Sequence, residues 1–152
     1  MQLDEIDKKL LMLLQTDSKR TIKAYANDLE LSNTAVYERI RRLENKGVIA
    51  KYVTLLNKGL IDKAFVVFCH VKLVQHIKEY VRQFEREVLQ LEEVVECYHI
   101  SGDYDYLLKI CVKDMEAYRE FLVGKLTALK NIGSTQSSFA IQEVKYSTAI
   151  QL

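Results

Sequence analysis

The sequence predicts an α+β protein in two parts: an N-terminal helix-turn-helix followed by a β-like wing, then a ferredoxin-like βαββαβ domain. Three observations carry this. Apolar residues recur at helical spacing up to about Leu60. Beyond it, β-branched and aromatic runs alternate with two helical stretches. Between them, Leu56-Asn57-Lys58-Gly59-Leu60-Ile61-Asp62 loses periodicity and carries turn formers. The expected domains are therefore 1–60 and 61–152.

The elements follow in order. Asp4 is placed to cap a first helix whose stripe is Ile6, Leu10, Leu13 and Leu14, with Glu5 and Asp7 in the favourable first turn. Thr16-Asp17-Ser18 ends it. Thr21 caps a second helix with Tyr25 and Leu29 inward, and Ala24 and Ala26 are small enough for close helix approach. After the tight turn Glu30-Leu31-Ser32, Ser32 caps a third helix with Val36, Ile40 and Leu43 at i, i+4, i+7, and Gly47 stands where a left-handed stop is wanted. Val48–Leu55 reads as the β-like wing. In the second part, Ala64–Val74 reads as a strand, and Ile77, Tyr80, Val81, Phe84, Val88 and Leu91 as a helix stripe. Val94–Ser101 and Tyr106–Val112 form a hairpin around Gly102–Asp105. Asp114 caps a helix with Tyr118, Phe121, Leu122, Leu126 and Leu129 inward, and Thr135–Ile150 is a long final strand or strand pair. Two helices cover only one face of four strands, so the other face is expected to meet a second subunit.

Composition sets the frame. The 152 residues are 49% apolar and 28% charged, with 22 basic and 21 acidic side chains. A net charge of +1 excludes a disordered polyelectrolyte or a histone-like polycation, so nucleic-acid binding must come from a local patch. That patch exists: residues 32–51 carry Arg39, Arg41, Arg42, Lys46 and Lys51 against Glu38 and Glu44. No run approaches the ~18 apolar residues of a membrane span. The opening MQLDEIDKKLL is not a signal peptide, and a cytoplasmic protein is expected. Cys69, Cys97 and Cys111 are odd in number and far apart, and each lies in an apolar run. They read as reduced core thiols. With no Cys-x-x-Cys pair and no ligand spacing among His70, His76 and His99, neither a metal site nor a cofactor is expected.

The third helix is the candidate DNA reader. Ser32, Asn33, Thr34, Tyr37 and Glu38 stand where side chains reach base edges, while Arg39, Arg41, Arg42 and Lys46 can hold phosphates. The bland alternative is a solvated basic face. Two acids cannot neutralise three arginines and a lysine, and the short turn and following β-like run favour DNA.

Three further segments carry a resemblance: LDEIDKKLLMLLQTDSKR (3–20), LSNTAVYERIRRLENKGVI (31–49) and SGDYDYLLK (101–109), with IQEVKYS (141–147) near the end. The chain resembles the Lrp/AsnC, or feast/famine, family of transcription regulators, and is similar to its leucine-responsive branch, over nearly its whole length. The resemblance implies a double-stranded DNA partner, a free amino acid as effector, and a homodimer that builds higher assemblies, an octamer among them. It implies effector binding at a subunit interface by the Gly102, Asp103, Tyr104 and Asp105 loop with Thr135 and Ser137. An ammonium can pair with a turn carboxylate, and a carboxylate with N–H groups exposed by Gly102. The same loop also reads as a plain tight hairpin. The sequence departs from the family at Glu30, where glycine is usual and positive φ is wanted, at Asn33 and Ala35, where prolines are frequent, and at Ser137 in place of threonine.

Two other functions are weighed. One is an assembly module with vestigial DNA binding. The other is an enzyme using Asp103 and Asp105 as acid and base with His99 nearby. No nucleophile–base–orienter set, phosphate loop or metal cluster supports catalysis, so no catalytic residue is assigned.

Overall fold

The structure is a computed structural model and describes residues 2–152. It contains α1 (Glu5–Thr16), α2 (Ile22–Leu29), α3 (Asn33–Asn45), β1 (Phe65–Leu73), α4 (Lys78–Val88), β2 (Val94–His99), β3 (Tyr106–Val112), α5 (Met115–Phe121) and β4 (Ile132–Phe139). They form two compact units: Met1–Leu55 with Val144–Leu152, and Leu56–Glu143.

In the first unit, three capped helices enclose one core. Asp4 and Asp7 make a reciprocal capping box, each carboxylate accepting the other's backbone N–H. Thr21 and Ser32 cap α2 and α3 through Ala24 N–H and Ala35 N–H. Leu10, Leu11, Leu14, Tyr25, Ala26, Val36, Ile40 and Leu43 fill the centre. Tyr25 is inward as expected, and its buried hydroxyl donates to Asp17 O at 2.6 Å. Glu30 closes α2 at φ 55°, ψ 43°, so this turn does demand the left-handed conformation that glycine usually supplies, and a glutamate adopts it. Gly47 stops α3 at φ 72°.

In the second unit the order β2-β3-β1-β4 with antiparallel neighbours is the ferredoxin-like sheet. The register puts Val67, Cys69, Val71 and Leu73 of β1 and Tyr106, Leu108, Ile110 and Val112 of β3 on the face covered by α4 and α5. There they meet Phe84, Val88, Tyr118 and Phe121. Asp114 caps α5 through Ala117 N–H. The helix ends sooner than its apolar stripe suggests, because Leu122–Leu126 widens into a π-helical turn, which keeps Leu126 in the core. The opposite sheet face carries Phe68, His70 and Lys72, then Leu107, Lys109 and Cys111, with Tyr98 and Glu96 beside them.

Two expectations are corrected. Val48–Leu55 forms no strand: its β-like residues run without a ladder partner within the chain. The final strand is Ile132–Phe139, not Thr135–Ile150. Its start is set by Asn131 at φ 70° and its end by the loss of pairing after Ala140 N–H bonds Val66 O. By compactness, residues 56–60 fall in the unit that contains Glu143, to which Lys58 is paired at 2.7 Å, and Val144–Leu152 fall in the first unit. All three cysteines are free, with Cys69 and Cys111 buried and Cys97 half-buried. Among the described residues, no helix is long and apolar enough to cross a membrane, and no cluster of His, Cys, Asp or Glu could hold a metal.

Candidate functional site

The first candidate region is the outer surface of α3. Val36, Ile40 and Leu43 are spent on the core, which turns the remaining positions outward. Ser32, Asn33, Thr34, Tyr37, Glu38, Arg41 and Lys46 are all exposed. Ser32 also caps the helix, so its hydroxyl is already engaged in holding the N-terminus that would approach bases. Arg41 lies over the Tyr37 ring at 5.9 Å, an arrangement that limits the flexibility of both side chains while leaving the guanidinium edge open.

Arg39 and Arg42 are placed differently. They point back to α1. Arg39 Nη1 donates to Asp4 Oδ2 and Asp7 Oδ1, each at 2.7 Å, and Arg42 Nη2 donates to both Asp7 oxygens at 2.5 and 2.6 Å. Asp7 is only 1% exposed, so its charge is out of water and depends on these two guanidinium groups. Arg39 holds the Asp4 carboxyl below its usual range, with help from the Asp7 N–H, and Asp4 and Asp7 in turn raise Arg39. The four charges lock α3 to α1. The partners weighed from sequence, Glu38 and Glu44, are not the ones used. Glu44 instead accepts from Tyr52 at 3.0 Å, and burial together with this carboxylate pushes the Tyr52 phenol up to about 12. A sequence signal existed: Asp4 and Asp7 share the i, i+3 spacing of Arg39 and Arg42, and so can meet as a matched pair.

The second candidate region is the β2–β3 turn. Gly102 sits at φ 124°, which L side chains rarely adopt, and Asp103 is exposed. Asp105 is anchored instead. Its Oδ2 accepts from Leu73 N–H at 2.7 Å and its Oδ1 meets His76 Nε2 at 2.8 Å, while its own N–H donates to Val71 O at 2.9 Å. The carboxylate therefore pins the turn to the end of β1, a partnership the sequence did not reveal. Tyr104 packs its ring 5.3 Å from His70, on the uncovered sheet face, and His70 Nδ1 is buried without a hydrogen-bond partner among the described residues. Thr135 and Ser137 pair with Val71 and Cys69, which places them on the helix-covered face. The Ser137 hydroxyl shares a 2.5 Å hydrogen bond with the Tyr118 hydroxyl, and burial pushes that phenol up to about 12. Within one protomer, then, the Tyr104 ring and the β4 hydroxyls lie on opposite sides of the sheet.

Comparison with known proteins now fits this two-unit plan. Residues 3–44 match the AsnC-type helix-turn-helix domain and residues 66–150 match the Lrp/AsnC ligand binding domain. The chain belongs to the Lrp/AsnC family. It is 38% identical to the leucine-responsive regulatory protein of Escherichia coli over 148 residues, 97% of this chain and 90% of that protein. An AsnC family transcriptional regulator from Agrobacterium tumefaciens shares 34% identity with a TM-score of 0.93, covering 97% of this chain and 96% of that one. A transcriptional regulator of Neisseria meningitidis, solved as a complex with L-Met, has a TM-score of 0.94 at 28% identity, covering 98% and 96%. The family assignment, the helix-turn-helix and the α+β architecture drawn from the sequence all hold.

Proposed function

We propose that this Lrp/AsnC chain is a sequence-specific DNA-binding transcription regulator whose DNA binding or assembly responds to a free amino acid, and that it acts in the cytoplasm. The observation that carries the reading is the division of labour on α3. Arg39 and Arg42 fix the helix and Ser32 caps it, leaving Asn33, Thr34, Tyr37 and Glu38 for base edges and Arg41 and Lys46 for phosphates. Residues 1–60 serve DNA and residues 61–152 serve the effector and assembly.

The effector reading assigns Asp103 to an amino acid's ammonium and the backbone around Gly102 to its carboxylate, with Tyr104, Thr135 and Ser137 shaping the space. Asp105 positions the turn. Because the Tyr104 ring and the β4 hydroxyls face different sides, a site that uses both takes them from different copies. Separately, the uncovered sheet face supplies a surface for a second copy: Phe68 is 36% and Tyr98 52% exposed there. A symmetric dimer on this face, and an octamer built from dimers, follow as the proposed assembly.

Salt titration tests the DNA half. Each phosphate contact contributes roughly −0.9 to the slope of log K against log salt. Arg41→Ala and Lys46→Ala should each weaken operator binding and flatten the slope by about 0.9. Unchanged affinity and slope in both would remove α3 from the interface. Thermal-shift screening of the twenty amino acids tests the sensing half, which fails if none raises the melting temperature or changes particle size.

A further inference from the structure

The segment after β4 does not end in free chain. Its last residues sit on the DNA-binding unit, and one side chain holds them there. Gln15, near the end of α1, uses both halves of its carboxamide on a single residue: Nε2 donates to Ile150 O at 3.0 Å, and Oε1 accepts from Ile150 N–H at 2.7 Å. This is the pairing a neighbouring β-strand would offer, made by a side chain. A glutamate of the same length lacks the donor, and an asparagine is shorter by a methylene. Alternate residues Thr148, Ile150 and Leu152 line the same groove, of about 630 Å³, which has Leu11 and Leu14 of α1 on one side and Ile49 and Val53 on the other. An i, i+2, i+4 pattern is that of an extended segment with one face toward the groove, and with Ile150 71% and Leu152 54% exposed the hydrogen bonds to Gln15 carry most of the attachment. Just before it, Ser147 Oγ accepts from Ala149 N–H at 3.1 Å and turns the chain.

The path leading there is short. Glu143 is tied to Lys58 within the second unit by two contacts of 2.7 Å. From Glu143 to Thr148 is five residue steps, at most about 18 Å when extended. Two hydrogen bonds to Gln15 and modest apolar contact hold the segment. The same stretch begins at β4, which carries Thr135 and Ser137. The chain thus crosses between the units twice, at Leu55–Leu56 and at Glu143–Val144.

We propose that Thr148–Leu152 is a strap of the DNA-binding unit, seated on α1 through Gln15, and that it passes effector occupancy from β4 to α1. The seat stands on the geometry alone; the relay rests on the amino-acid-responsive reading above. Because α1 carries Asp4 and Asp7, which hold Arg39 and Arg42, a pull on α1 reaches the reading helix through ion pairs already in place.

The experiment uses the full chain with L-leucine and L-methionine as probes. Hydrogen exchange reads the seat. The Ile150 amide should exchange at least about tenfold more slowly in the wild type than in Gln15→Leu, and equal rates overturn the seat. DNA affinity with and without the probes reads the relay, with calorimetry following probe binding directly. Gln15→Leu and Ile150→Pro, which removes the donated N–H, attack the same bond from opposite sides. Both should bind DNA and probe within about twofold of the wild type, while the probe-induced change in DNA affinity shrinks at least about threefold. An unchanged response in both variants overturns the relay. A wild type that binds DNA and neither probe alters overturns the functional reading and the relay with it, while the exchange rates still decide the seat.

Discussion

Replacing Asp7 by asparagine should unfold the helix-turn-helix unit at markedly lower temperature without touching any residue proposed to meet DNA. Asp7 is a buried carboxylate facing two guanidinium groups and the Asp4 N–H. Removing one partner of a fully buried pair costs ~3–5 kcal/mol. Here the arginine side chains are 23% and 46% exposed, so they recover part of their hydration, and asparagine keeps one acceptor oxygen. The net loss is then about 2 kcal/mol, and for a unit of this size that lowers Tm by ~8–16 °C. The assay is thermal unfolding by circular dichroism at 222 nm, repeated for Arg39→Ala and the double variant. The double variant should lose less than the sum of the singles, because Asp7 and Arg39 share one interaction. A Tm within about 2 °C of the wild type, or strict additivity, would refute the claim that these charges lock α3 to α1.

Glu30→Gly should raise stability by about 0.5–1 kcal/mol, read as a higher Tm, because the turn at φ 55° penalises a side chain that glycine lacks. Phe68→Glu should convert the proposed dimer to monomers in light scattering while the circular dichroism spectrum is kept, since a charge on the uncovered sheet face forbids its burial against a second copy. Alkali should destabilise the protein from pH 10 upward. Burial and neighbouring groups push Tyr52 and Tyr118 up to about 12 and Tyr106 higher still, so the unfolded chain loses these protons first. Their stabilisation is full below pH 10 and disappears as pH rises through the folded values, which denaturant midpoints between pH 8 and 12 will show.

What could be read from the sequence was local. Asp4, Thr21, Ser32 and Asp114 cap the helices they were expected to cap, because a cap needs only a hydroxyl or carboxylate three residues before an N–H. The βαββαβ order emerged from period and turn residues in the same way. The missed features all depend on distant chain. Val48–Leu55 and residues 140–150 have strand composition, but a strand exists only against a partner, and within the chain neither finds one. The sequence places Arg39 and Arg42 outward because their own helix offers no adequate counter-charge, and the acids that hold them lie 32 and 35 residues away. Asp105 likewise meets Leu73 and His76 from another strand end. The opposition of Ser137 and Tyr104 across the sheet follows from register, which composition does not encode.

The lock between α1 and α3 has an evolutionary consequence. Positions 4, 7, 39 and 42 form a charge quartet that must drift together, since losing one member strands another in poor surroundings. Positions 33, 34, 37 and 38 bear no such debt to the scaffold. On the base-reading role proposed for those positions, promoter preference can diverge quickly among descendants of this gene while the quartet stays fixed, and a reshuffled operator code would leave thermal robustness nearly untouched.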